Sequence, residues 1–324
     1  MNSRFALMLA MTLLAMPCVS SPSSAEDYPS RPVRIIVPFG AGGPADVTAR
    51  LVGNTLQETL GQPFVVENRT GAGGVIGTET AAKAPPDGYT LLMMSNTQTA
   101  NESLVPADQR KYELMRDLLP IAPVNYSDLV IVVHPSVQAK TLAEFITLAK
   151  SQPGKLNYAS SGQGTPYHMA GELFKTMAGI DVVHVPYRNS GDARTGVISG
   201  QVQMMIDAVT TMAPNINAGQ VRALATTGTK RSAVLPAVPT ASEAGVSGYE
   251  ATIWLGLMAP AGTPKPIIDR LNAAINTFVK KPEIVELWNK QGAVPMSMTS
   301  EEFDKFLRGD IAKWAEVVKR FNKS

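Results

Sequence analysis

Two short stretches carry the residues best suited to holding an anion. Residues 40–46 read GAGGPAD and residues 162–168 read GQGTPYH, both of the form G-x-G-[GT]-P-x-polar. Each follows an apolar run and leads into a helical pattern. Each therefore offers loop N–H groups at a helix start, where the macrodipole is positive. Pro44 and Pro166 suit a first helical position, because the N–H they lack has no intrahelical partner there. Gly43 and Thr165 are then the N-caps, and Asp46 and His168 the third helical residues. An acid at that position complements the dipole, so Asp46 is expected to support its loop rather than touch a ligand. The dipole opposes a charged His168, so a neutral ring is expected, donating one hydrogen bond to a ligand or to a loop carbonyl. If the two units faced each other, their helix starts would enclose an anion from both sides.

Other chemistries can be read from the same residues. Residues 40–45 also fit G-x-G-x-x-A, and Glu67 ends a strand roughly 20 residues on, where a dinucleotide's ribose would be bound. A nicotinamide-dependent oxidoreductase is therefore an alternative. Against it stand Pro44 in the turn, an export leader and no evident catalytic pair downstream. Ser160 and Ser161 lie near His168, so an exported Ser hydrolase is another alternative, although SSGQG is not the G-x-S-x-G elbow. The histidines are His134, His168 and His184, with no i,i+4 ligand pair, so no metal is expected. His134 and His184 sit in apolar strand runs and read as structural. A second glycine run, GAGGVIG at 71–77, is either another anion nest or a helix entry packed close to the sheet. Asp207 ends a strand, where it could order a water, bind an ammonium group or cap the next helix.

The 324 residues suit two domains, with 44% apolar and 17% charged residues and a formal charge of +2. That balance gives no reason to expect a nucleic-acid partner. Arg4 followed by an apolar run at 5–16 has the form of a signal peptide, with Ser23 and Ala25 at the −3 and −1 positions of a cut after Ala25. Cys18, the single cysteine, lies before that cut; acylation there is the lipoprotein alternative, disfavoured by Met16-Pro17. The mature chain is expected to be soluble and exported.

The elements that must position these loops alternate. VRIIV (33–37) reads as a buried strand, and Val47, Leu51, Leu56 and Leu60 follow at helical spacing. Strand patterns recur at 63–68, 87–95 (a turn and strand), 128–135, 155–161, 181–187, 201–208, 221–227 and 253–260. Thr141 with Glu144, and Thr299 with Glu302, have capping-box spacing. Alternation of strand and helix predicts an α/β fold with mostly parallel sheets.

Over nearly all of its mature length the chain resembles the Bug-type solute receptors of tripartite tricarboxylate transporters. The resemblance rests on YPSRPVRIIVPFGAGGPADVTAR, VVENRTGAGGVIGTETAAKAPPDGYTLL, NYASSGQGTPYHMAGELF and VHVPYRNSGDA, extended by GQVQMMIDA and MAPAGTPKPIIDRLN. It implies a type II periplasmic-binding-protein fold: two α/β domains with mixed, mostly parallel sheets around a cleft. Residues 26–124 with 251–324 would form domain 1, and 125–250 domain 2. It implies a monomer that binds a small organic carboxylate without catalysis, metal or cofactor, and delivers it to a membrane permease. Carried onto this chain, the ligand site comprises Phe39, Gly40, Ala41, Gly42 and Gly43, then Ser95, Asn96 and Thr97. It continues with Ser161, Gly162, Gly164, Thr165 and His168, and is completed by Tyr187 and Asp207. Gln203, Ile206 and Tyr167 depart from the family's usual residues, which bears on the identity of the ligand.

Overall fold

The structure, a computed structural model, describes residues 28–321. The leader, its cleavage site and Cys18 lie outside the described residues. In chain order the elements begin β1 (Val33–Val37), α1 (Pro44–Leu60), β2 (Phe64–Asn68), α2 (Val75–Ala82), β3 (Thr90–Ser95) and α3 (Asn96–Leu104). They continue α4 (Ala107–Arg110), α5 (Leu114–Asp117), β4 (Leu118–Val133), α6 (Leu142–Ser151), β5 (Asn157–Ser160) and α7 (Pro166–Ala178). Next come β6 (Val183–Pro186), α8 (Ser190–Ile198), β7 (Met204–Ala208), α9 (Val209–Asn217) and β8 (Arg222–Thr226). The chain ends with β9 (Thr252–Pro260), α10 (Lys265–Val279), α11 (Pro282–Gln291), β10 (Ala293–Pro295) and α12 (Ser300–Phe321).

The strands form a curled mixed sheet in the order β2-β1-β3-β9-β4-β7-β5-β6, with β8 and β10 also pairing with β4. β1 pairs in parallel with β2 and β3, and β5 in parallel with β6 and β7. β4 belongs to two wings. Through Asp128 it pairs antiparallel with β9, and from Leu129 onward it pairs antiparallel with β7. The chain re-enters the first wing at β9.

VRIIV is apolar at four of its five positions because both sheet faces are covered. Val33, Ile35 and Val37 pack with Val52 and Leu56 of α1 and with Ile268, Leu271 and Ile275 of α10. Ile36, pointing the other way, packs with Val75 of α2 and with Phe303 and Leu307 of α12. The second wing repeats this. Leu129, Ile131 and Val133 pack with Phe145 and Phe174, whereas Val130 and Val132 pack with Val197 and Met212.

Helix starts follow the capping logic. Gly43 and Thr165 are the N-caps of α1 and α7, with Pro44 and Pro166 at the first position. The Thr299 Oγ1 accepts from the Glu302 N–H while Glu302 accepts from the Thr299 N–H, a complete capping box. At α6 the Thr141 Oγ1 accepts from the Glu144 N–H, but the Glu144 carboxylate takes the Lys140 N–H instead.

Candidate ligand site between the two wings

The parallel strands β1, β2, β3, β5 and β6 deliver their carboxyl ends to one cleft, the place where open α/β sheets bind ligands. The loops beyond these ends enclose a cavity of about 320 Å³. They approach closely across it. A Cβ built on Gly40 would lie 2.7 Å from the Asn189 Cβ, and one on Gly73 would lie 2.6 Å from the Gln163 carbonyl oxygen. A Cβ on Gly43 would stand 3.2 Å from the Ser190 Oγ. The start of α1 therefore opposes the start of α8, while the 162–165 loop opposes the second glycine loop. The two echoing loops share one cavity, but each faces a different partner.

Of the residues expected at the site, Phe39, Gly40, Gly43 and Ser95 line the cavity from the first wing. Ser161, Gly162, Thr165 and Tyr187 line it from the second. Asn96, Thr97, Gly164, His168 and Asp207 stand behind the wall, most with an evident structural bond, while Ala41 and Gly42 are exposed and do not line the cavity. The Asn96 Nδ2 donates to the Thr252 carbonyl at 2.9 Å. The Thr97 N–H donates to the Ser95 Oγ at 3.1 Å, and the Ser95 N–H to the Gln98 Oε1 at 2.9 Å, which is the capping box of α3. Asp207 is fully buried. Its carboxylate receives Arg194 at 3.0 Å and the Ala208 N–H at 2.9 Å. Burial pushes the Asp207 carboxyl up, against the opposing pull of Arg194. Of the roles open to Asp207, Arg194 takes the place of an ammonium partner.

Asp46 and His168 hold their loops. The Asp46 Oδ2 accepts the Gly42 N–H at 3.0 Å, and its Oδ1 accepts Arg50 at 2.9 Å and the Asn68 Nδ2 at 3.0 Å. Burial pushes this carboxyl up, but the bonds from Arg50, Gly42 and Asn68 outweigh it and hold the group below the usual carboxylate range. The His168 Nδ1 accepts the Gly164 N–H at 3.2 Å, so in the neutral ring the proton that can be donated sits on Nε2. Burial lowers the His168 pKa, so the neutral form follows from desolvation as well as from the helix start. The His184 ring lies beside it, centroids 4.2 Å apart; burial first, then His168, pushes it down to about 4.

The alternative chemistries find little support in this geometry. The Ser160 Oγ contacts the His184 Nε2 at 2.6 Å, but Ser160 is fully buried and stands behind the cavity wall. Its Oγ accepts the Gly162 N–H at 3.1 Å, which makes it a support for the loop. Glu67, the candidate ribose acid, is paired with Arg34 at 2.6 Å and Arg69 at 2.5 Å. Among the described residues there is no cluster of three or more His, Cys, Asp or Glu placed to hold a metal, and no helix long and apolar enough to cross a membrane.

Several wall residues are not among those expected from sequence. Residues 70–74 line the cavity, and Gly73 is where the first wing meets Gln163. GAGG is visible in the sequence, but its two readings are equally open there. Asn189 and Ser190 begin α8, where the Asn189 Oδ1 accepts the Asp192 N–H at 2.9 Å. The N-x-x-D spacing is the signal that could have found them. Arg188 is the one charged side chain on the wall. It is exposed, and no hydrogen bond or ion pair with the described residues engages it.

Residues 48–323 match the model of the tripartite tricarboxylate transporter family receptor. Protein BugT of Bordetella pertussis is 38% identical over 319 residues, covering 98% of each chain. An R. palustris protein solved with adipate is 34% identical with a TM-score of 0.87, over 90% of this chain and 98% of that one. MatC of Rhodopseudomonas palustris, solved with bound malate, is 32% identical with a TM-score of 0.85, over 90% of this chain and all of that one. With the fold, the interwing cavity and these likenesses in agreement, the chain belongs to the tripartite tricarboxylate transporter receptor family.

Proposed function

We propose that this chain is an exported, non-catalytic receptor that captures a small organic carboxylate between its wings and delivers it to the integral permease of a tripartite tricarboxylate-type transporter. The observation that carries this reading is the composition of the cavity wall. The starts of α1, α7 and α8 converge on a space of about 320 Å³, within the range of small-molecule sites. Ser95, Ser161 and Thr165 line the same wall; the Ser95 and Thr165 hydroxyls are donated to Thr97 and to the Gly162 carbonyl, which leaves the Ser161 hydroxyl for a ligand. Oriented N–H and O–H groups suffice for an anion, because hydrogen bonds to a charged acceptor are roughly twice as strong as neutral ones. The related proteins solved with adipate and malate hold dicarboxylates, in keeping with this class. Arg188 is placed to meet a second anionic group on such a ligand.

Residues 26–124 with 251–324, and 125–250, act as the two domains that close on the ligand. Residues 1–25 are removed on export to the periplasm, and no cofactor takes part. Purified mature protein is expected to gain thermal stability with at least one mono- or dicarboxylate. Mass spectrometry of co-purified ligand identifies which. A broad panel of aliphatic and aromatic acids producing no shift would sink the reading, as would turnover of any of them.

A further inference from the structure

A second cavity, of about 280 Å³, lies against the first and has no part in the proposed capture. Pro44 and Ile253 belong to both walls. From Pro44 the exposed side of α1 turns Val47 and Leu51 toward it, at helical spacing. Leu255 of β9 and Trp288 of α11 add apolar surface, and Thr210 of α9 reaches it from the second wing. No charged residue lines it.

One polar group is out of keeping with this wall. Asn125 is 6% exposed, and its carboxamide has no hydrogen-bond partner among the described residues. Buried carboxamides are nearly always bonded. The β4–β9 ladder slips register between Pro123 and Asn125, and bulges of this kind re-aim a side chain. The Thr210 Oγ1 is unpartnered too, but it is shielded from the cavity, whereas the Asn125 carboxamide is not.

We propose that this second cavity is a binding site for a small neutral molecule with an amide or hydroxyl end and an apolar body. The polar end completes Asn125. The body lies on Val47, Leu51, Leu255 and Trp288. An ionised carboxylate is disfavoured because no counter-charge meets it there. The occupant touches both wings and the first turn of α1, so its binding is linked to binding in the first cavity, reciprocally and by the same factor. The site itself does not depend on the carboxylate reading.

The test is a titration of the full isotopically labelled chain with benzamide, followed at the Trp288 indole N–H and at backbone amides. A saturable shift centred on Trp288 is expected, with benzoate leaving that signal unmoved. Asn125→Leu should weaken benzamide about tenfold, the loss expected when a buried hydrogen bond is removed. Val47→Trp should block the site; Val47 is 52% exposed, so the fold tolerates the change. If Asn125→Leu does not fold, Val47→Trp decides alone. Shifts that do not saturate, that centre on Ser161 in the first cavity, or that persist unchanged in Val47→Trp overturn the proposal.

Discussion

Asp46 and His168, 122 positions apart and unlike in charge, are structural equivalents, each accepting the backbone N–H of the glycine four residues before it, Gly42 at 3.0 Å and Gly164 at 3.2 Å. Both glycines sit at φ +77°, a left-handed conformation that L side chains rarely adopt. In each wing the third helical residue thus draws the loop back onto its own helix start. The N–H groups so engaged are no longer available to a ligand, and neither side chain stands on the cavity wall.

Asp46→Ala should leave the Gly42 N–H without its acceptor and cost about 1–3 kcal/mol of stability, with a matching loss of carboxylate affinity. The folded Asp46 carboxyl titrates below its unfolded value, so its contribution is complete above about pH 4 and lost as pH falls through the folded pKa. Denaturant melts at pH 7 and pH 3 check this. The gap between wild type and variant should close at the lower pH.

The histidine pair should make the second loop acid-sensitive. Both rings are held neutral in the fold, with His184 at about 4, whereas unfolded histidine titrates near 6.5. The unfolded chain binds more protons in that window, so stability is full above about pH 6.5 and declines as pH falls toward 4. Proton NMR titration of the imidazole signals measures the two pKa values directly. A His184 value at or above 6.5 would contradict the burial argument.

Gly40→Ala and Gly73→Ala should each place a methyl group where the other wing already stands, against Asn189 and the Gln163 carbonyl. Gly40 is the cleaner probe, because Gly73 also has positive φ. Carboxylate affinity is expected to fall at least about tenfold for Gly40→Ala, a shift of roughly 1.4 kcal/mol. Thermal stability without ligand should change little. Small-angle scattering in the presence of ligand should show a larger radius of gyration than wild type.

Arg188→Gln should compress ligand preference rather than abolish binding. A lost charge-assisted bond is worth about 1.5–3 kcal/mol when shielded and less at an exposed position. Affinity for a dicarboxylate should drop by up to about tenfold, with the matched monocarboxylate unaffected. Isothermal titration of both acids against both proteins gives the ratio. An unchanged ratio would remove Arg188 from the reading of the ligand's far end.

Much of this architecture is legible in the sequence because its signals are local. The glycine-proline starts of α1 and α7, the apolar run of β1 and the Thr299–Glu302 cap are each visible within a few residues. The first part of β4 is not, because Pro120 and Pro123 argue against a strand interior. The structure reconciles them: the ladder slips register after each of these prolines, so both stand beside a break in the pairing. α3 escapes a sequence reading because Asn96, Thr97, Gln98, Thr99 and Asn101 are buried polar residues, which leaves no apolar stripe to read. Its Ser95–Gln98 capping box is the overlooked sign. Within the site, each glycine loop is readable alone. That Gly73 would meet Gln163, and Gly40 meet Asn189, depends on how the wings are set against each other, which no local pattern encodes.

The two wings share β4, a single strand hydrogen-bonded in both and carrying two slips of register along its first part. A joint made this way resembles a leaf spring more than a loose cord. Any bending between the wings would have to flex this hydrogen-bonded ribbon at Asp128–Leu129, where it changes partner, rather than swing on a free linker.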